Sequence, residues 1–233
     1  KIAEKGYIAI VNKEKLRTEQ ELGIFQQEPA KILTEDQTTA LATIDRLSGF
    51  AQVLLNGVTD SGKTEVYLQA IHQILAQGKS ALVLVPEIGL TPQLTDRFRS
   101  RFGDKVAVYH SALSDGERYD TWRKMLTETS QIVIGTRSAI FAPLPNLGLI
   151  ILDEEHDSSF KQDQPAPTYN ARDIATWRAE LESCPLILGS ATPSLETWVS
   201  TDNQTPHTHS LSLPTRVQSR PLPPVEIVDM RQE

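Results

Sequence analysis

Gly57-Val58-Thr59-Asp60-Ser61-Gly62-Lys63-Thr64 fits the spacing G-x-x-x-x-G-K-[ST], the pattern of a loop that cradles phosphate. In such a loop the backbone N–H groups between Gly57 and Gly62, those of Thr59 and Ser61 among them, point into a concavity. The following helix N-terminus adds a dipole that favours anions. Lys63 is placed to reach the β- and γ-phosphates of a nucleotide, and the Thr64 hydroxyl to coordinate Mg²⁺. Asp60 is discordant, because it brings a carboxylate to a place where phosphates should lie.

A second group follows an apolar run: Leu149-Ile150-Ile151-Leu152 leads into Asp153-Glu154-Glu155-His156. Three acidic residues at the end of a buried strand cannot serve the core, since unpaired buried charge is costly. The carboxyl ends of strands are where α/β sheets bind ligands. Asp153 therefore suits Mg²⁺ coordination, and Glu154 suits a general base that orients and deprotonates an attacking water. A solvated acidic turn is the plainer alternative. A third group, Gly189-Ser190-Ala191-Thr192-Pro193-Ser194, also closes an apolar run. Ser190 and Thr192 could hydrogen-bond the acidic pair and sense a γ-phosphate, or simply form a turn.

Positioning these groups requires a strand before each. Apolar candidates are 52–56, 80–85, 106–109, 131–135, 147–152 and 185–189, several continuously apolar, as in a sheet covered on both faces. Helical segments alternate with them at 35–47, 63–77, 91–101, 115–128 and 171–182, with Asn170 and Ser194 as candidate N-caps. This alternation predicts an α/β fold with a mostly parallel sheet and helices on both faces. Residues 1–28 read as the tail of an upstream domain and a linker, and the Pro-rich stretch from Pro214 as a connector to a further domain, with residues 29–213 as the folded unit.

The 233 residues carry a net charge of -7, which argues against binding nucleic acid by bulk charge but leaves room for a local groove. The single cysteine, Cys184, excludes an internal disulfide and a cysteine zinc site, and reads as a small structural residue. With no run of 18 apolar residues and no signal peptide, the chain reads as a cytoplasmic protein with no membrane segment. Arg97, Arg99, Arg101 and Lys105 form a basic stretch, either a solvated helix face or a DNA track.

In order, the three groups resemble the motifs of superfamily 2 helicases, and Leu33-Thr34-Glu35-Asp36-Gln37 resembles the segment in which Gln37 would read an adenine edge. The blocks from Gly57 to Leu68, Val85 to Gln93, Gly135 to Phe141, Asp153 to Gln162, Tyr169 to Asp173 and Gly189 to Thr197 are similar to the primosomal replication-restart helicases. That resemblance implies a RecA-like P-loop NTPase lobe, the first of two, using ATP and Mg²⁺ in a 3′-to-5′ DNA helicase. It further implies work at stalled or abandoned forks, on branched and single-stranded DNA, with single-strand binding protein and primosome proteins as partners. Zinc belongs to the full-length family but has no ligands here.

Strand-binding residues implied by the resemblance are Pro86, Gln93, Arg137, Phe160, Lys161 and Tyr169, with His156, Ser190 and Thr192 coupling the ATP and DNA sites. Ordinary loop packing is the alternative for Phe160 and Tyr169. The loop between them lacks the tryptophan or arginine of some relatives. The family usually has Gly at position 60. A carboxylate about 5 Å from a phosphate charge costs roughly 3 kcal/mol before screening, about a hundredfold in affinity, unless it turns to solvent. Two other readings compete: another superfamily 2 translocase, and a fork-binding module whose hydrolysis Asp60 has weakened.

Overall fold

Residues 28–202 and 207–217 are described by the computed structural model. The upstream tail, nearly all of the linker and the chain from residue 218 onward lie outside the described residues. In chain order the elements begin α1 (Glu35–Asp45), β1 (Ala51–Gly57), α2 (Lys63–Ala76), β2 (Ser80–Leu84), α3 (Pro92–Phe102), β3 (Val106–Tyr109) and α4 (Asp115–Leu126). They continue with β4 (Ile132–Gly135), β5 (Leu147–Asp153), β6 (Lys161–Gln162), β7 (Tyr169–Asn170), α5 (Ala171–Leu181), β8 (Pro185–Ser190), α6 (Leu195–Asp202) and β9 (Thr208–Leu213).

The apolar runs and helical segments anticipated from sequence coincide with β1–β5, β8 and α1–α5 to within about two residues at their ends. Local chemistry sets several boundaries. Thr34 and Gln37 close a capping box on α1, as do Ser114 and Glu117 on α4, and Asn170 accepts the Arg172 N–H to start α5. Thr91 caps α3, with Pro92 in its first turn.

Seven strands pair in the order β3-β4-β2-β5-β8-β1-β9, and every pair is parallel. Side chains alternate across the sheet with a period of two. Val53, Leu55, Ile132, Ile134, Leu149 and Ile151 join a core with α1, α2 and Phe98 of α3. Leu82, Leu84, Val133, Ile150, Leu152 and Leu188 join a second core with Met125 of α4 and the Ala171, Ala175 and Ala179 stripe of α5. Both faces are thus covered, which is why the strands are continuously apolar.

Four elements, the short β6 and β7 together with α6 and β9, were not anticipated. α6 follows Ser194, whose hydroxyl accepts the Thr197 N–H at 3.3 Å, so the cap was legible though its helix was not. β9 reads THSLSL, four of its six residues polar, as suits an edge strand paired among the described residues only to β1. Its Leu213 is nevertheless 1% exposed, inside the first core and beside Gly57. We expect Leu213→Ala to destabilise the domain by about 2–5 kcal/mol in chemical denaturation. A loss below about 1 kcal/mol would show β9 to be peripheral.

Candidate active site

Because all seven strands are parallel, their C-terminal ends open on one edge. There the ends of β5, β8 and β1 lie side by side and carry the acidic group, the Ser190–Thr192 turn and the glycine-rich loop. The ends of β4 and β2, next along the same edge, carry Arg137 and Pro86. Chain order scatters these groups, and the strand order collects them.

The glycine-rich loop is held from several sides. Gly62 has φ +82, where only glycine is at ease, and a Cβ there would strike the Gln37 amide and lie 3.2 Å from Val217. Asp60 also has a positive φ, 65, and its carbonyl accepts the Val217 N–H at 2.9 Å. Asp60 is exposed, so its carboxylate has room to turn to solvent, the condition under which the penalty read from sequence shrinks. Gln37 is 3% exposed. Its Oε1 accepts the Thr34 N–H at 2.9 Å and its Nε2 donates to the Ser61 carbonyl at 2.7 Å. In this structure Gln37 therefore props the loop through both ends of its amide.

Lys63 is 9% exposed, and its Nζ donates to the Gly57 carbonyl at 2.9 Å, with Glu154 Oε1 3.7 Å away. A buried ammonium so loosely paired calls for an anion. The Ser61 hydroxyl, also buried, has no hydrogen-bond partner. Both observations fit a phosphate group in the loop. Thr64 is the second residue of α2, directly after Lys63.

Asp153 accepts a 2.9 Å hydrogen bond from the hydroxyl of Tyr67, a residue that sequence reasoning missed. Its place one helical turn after Lys63 was the available signal, since i and i+4 share a face. Burial, and then the neighbouring Glu154, hold the Asp153 carboxyl above its usual range, against the Tyr67 hydrogen bond and Lys63. Burial, then Asp153 and Glu154, push the Tyr67 phenol well above its usual value, so it stays a donor. Among the described residues no three metal-ligand side chains cluster. A Mg²⁺ here would rest on Asp153 and Thr64, with phosphate oxygens and water completing its shell.

The third carboxylate departs from the sequence reading. Glu155 does serve the core: it is 2% exposed, and its oxygens accept from the Ser194 N–H at 2.7 Å, Thr197 Oγ1 at 2.9 Å and Arg172 at 3.1 Å. Full pairing removes the penalty that argued against it. Ser190 and Thr192 bond not to the acidic pair but to His156, Nδ1 to Ser190 Oγ at 2.8 Å and Nε2 to Thr192 Oγ1 at 3.4 Å. His156 Nδ1 is also 3.8 Å from Glu154, so it sits between the two groups.

The expected strand-binding residues divide. Gln93 and Lys161 are exposed and Tyr169 is half-buried. Phe160 is 2% exposed within the second core, so its ring cannot stack on a base as placed. An exposed aromatic beside Tyr169 is Phe141, packed edge-on against it at 5.2 Å. Pro86 is buried, and its carbonyl accepts the Gly89 and Leu90 N–H groups. Arg137 donates to the carbonyls of Ser159 at 3.3 Å and Lys161 at 2.8 Å, tying the end of β4 to the segment after β5. The basic stretch is neither solvated nor a free track at its core. Arg101 and Arg97 pair with buried Glu65 at 2.9 and 3.4 Å. Glu65 also accepts the Lys31 N–H at 3.2 Å, which fixes the approach to α1.

A parallel sheet that gathers a lysine-tipped glycine loop and a carboxylate pair on one edge is the mark of a P-loop NTPase, and here of a helicase lobe. Residues 34–199 match the DEAD/DEAH box helicase family, and the chain belongs to it. Over its whole length it is 66% identical to Replication restart protein PriA of Synechocystis sp., covering 28% of that protein, and 48% identical to that of Bacillus subtilis, covering 29%. It thus spans under a third of those relatives. RecG bound to a three-way DNA junction superposes with TM-score 0.57 at 24% identity over 78% of this chain and 24% of that one. A hypothetical ATP-dependent RNA helicase from Sulfolobus tokodaii gives 0.56 at 21% identity, over 78% of this chain and 53% of that one. At these identities the structures establish the RecA-like α/β fold, and the motif resemblance to replication-restart helicases holds across the whole chain.

The raised Asp153 carboxyl has a definite sign. The folded state binds a proton more tightly than the unfolded one, so this group's contribution is fully present below the unfolded value and is lost as pH rises through the raised one. At neutral pH the ionised group therefore burdens the nucleotide-free domain. Asp153→Asn should raise its Tm at pH 7 and flatten its loss of stability between mildly acidic and neutral pH. An unchanged or lower Tm would contradict the assignment.

Proposed function

We propose that this chain is the ATP-binding motor lobe of a 3′-to-5′ DNA helicase that acts at stalled or abandoned forks during replication restart. The observation that carries the proposal is Lys63 Nζ lying 3.7 Å from Glu154 where the ends of β1 and β5 meet across β8. Lys63 and the N–H groups from Thr59 to Thr64 hold the β- and γ-phosphates of ATP, and Ser61 supplies its free hydroxyl. Thr64 and Asp153 hold Mg²⁺, whose charge offsets that developing on the phosphate oxygens. Tyr67 keeps Asp153 aimed. Glu154 orients the attacking water and accepts its proton, and His156 links that event to Ser190 and Thr192.

DNA is the substrate class favoured by similarity to Replication restart protein PriA and by the adjoining edge with Gln93, Arg137, Phe141, Lys161 and Tyr169. Single-strand binding protein and primosome proteins are proposed as partners on the same similarity, in a cytoplasmic setting. No helix of the described residues is long and apolar enough to cross a membrane. Asp60, exposed and bound through its carbonyl, does not favour the fork-binding module without hydrolysis.

Forked-DNA-stimulated ATPase and unwinding by the complete natural polypeptide test this reading. Lys63→Ala and Glu154→Gln should each lower turnover by about a hundredfold or more, as removal of one electrostatic or proton-transfer element does. Glu154→Gln should still bind nucleotide. The 233 residues alone should bind nucleotide with little turnover, since a second lobe's arginine finger is worth about 10³–10⁵ in rate. DNA-stimulated hydrolysis by this chain alone would overturn that part.

Asp60→Gly should raise nucleotide affinity by less than about tenfold, because the exposed charge is screened. It should also stabilise the fold slightly, since φ 65 suits glycine better. A gain near a hundredfold would restore the repulsion argument.

A further inference from the structure

Glu154, the proposed base, has φ 50, a left-handed conformation that a non-glycine residue keeps only when its surroundings over-determine it. The over-determination comes from the next residue. The Glu155 side chain is 0% exposed, and backbone and side chain together reach three elements. Its backbone N–H donates to the Gly189 carbonyl of β8 at 3.1 Å. Its Oε1 accepts the Ser194 N–H at 2.7 Å, and its Oε2 accepts from the Ser194 hydroxyl at 3.1 Å and Thr197 at 2.9 Å, both at the start of α6. The same Oε2 accepts from Arg172 at 3.1 Å, in the first turn of α5.

Arg172 lies two residues beyond Asn170, which is paired with Lys161 in the small β6–β7 hairpin. The Lys161 carbonyl in turn accepts from Arg137. A chain of direct contacts therefore runs from the exposed edge after β4 and β5, through Arg172 and Glu155, to Glu154. No such contact is available to an alanine in this position, and a merely solvated glutamate would not be buried.

We propose that Glu155 is a positioning residue for hydrolysis. Its buried pair with Arg172 fixes the left-handed turn that aims Glu154, and so makes the aim of Glu154 depend on where α5 and its hairpin sit. The proposal rests on the reading of Glu154 as the base, and movement of the hairpin on a DNA strand would reach the nucleotide site through this pair.

The test compares Glu155→Gln, Glu155→Asp, Arg172→Lys and the double variant Glu155→Gln/Arg172→Gln with the unmodified complete polypeptide, using single-stranded and forked DNA. For each, kcat and KM for ATP, the Kd of a fluorescent ATP analogue, the Kd for DNA and the Tm are measured. Glu155→Gln should lower DNA-stimulated kcat at least tenfold while KM and both Kd values change less than about threefold. Arg172→Lys, which keeps the charge, should lose less of the rate than Glu155→Gln, and the double variant should lose no more than Glu155→Gln alone.

A purely structural role would move Tm and both Kd values together with kcat, and that pattern overturns the proposal. An unchanged kcat in a folded Glu155→Gln also overturns it. Should that variant not fold, Glu155→Asp, which retains the ion pair but shortens the reach, decides by the same criteria. Glu154→Gln run alongside separates the two readings. If it keeps full hydrolysis, the assignment of the base is wrong and this proposal falls with it. If it is inactive while Glu155→Gln is normal, only the positioning role fails.

Discussion

The charge balance at the C-terminal edge of the sheet constrains everything built around it. A lysine that is 9% exposed faces a carbonyl and a loosely placed glutamate, while Asp153 is held above its ordinary range by burial. Neither charge is fully offset by the protein groups around it. A phosphate chain with a divalent cation supplies an anion for the first and a cation for the second, so one ligand settles both. The apolar strands beneath keep Lys63 largely out of water, which strengthens its interactions. The buried sheet is therefore part of the site as well as its support.

Parallel strand order is the device that brings the charges together. Groups after β1, β5 and β8 are separated by as many as 127 residues of chain, from Lys63 to Ser190, yet they adjoin because the strands run β5-β8-β1 in space. β5 is the boundary strand. On one side lie the phosphate loop and the Ser190 turn, and on the other lie β2 and β4 with the segments from Pro86 and Arg137. The acidic group at the end of β5 carries two kinds of carboxylate. Asp153 and Glu154 are left partly accessible, while Glu155 is consumed entirely by protein donors.

Much of this was legible from residue types. Continuous apolar runs gave the strands, and glycine spacing gave the loop, because both follow from local steric and solvation rules. β9 was not legible, since an edge strand needs burial on only part of its length and its alternation is short. Glu155 was misread because a sequence does not reveal partners: its cost in the core is cancelled by Arg172, Ser194 and Thr197, which are distant in the chain. Phe160 was misread for a related reason, since an aromatic in a loop can as well complete a core as meet a ligand. Tyr67 was overlooked because a tyrosine on an apolar helix face looks like packing until the carboxylate opposite it is seen.

The contrast between Glu154 and Glu155 follows from backbone geometry. A strand that continued past Asp153 would send successive side chains to opposite faces of the sheet. The positive φ at Glu154 breaks that alternation and turns the chain, so that Glu154 approaches Lys63 while Glu155 drops into the gap between β8, α5 and α6. Strain at one residue is thus held in place by hydrogen bonds at the next. A site arranged in this way can be rigid at the phosphate and still answer to motion at α5, because the pair that holds the turn is also the pair that α5 carries.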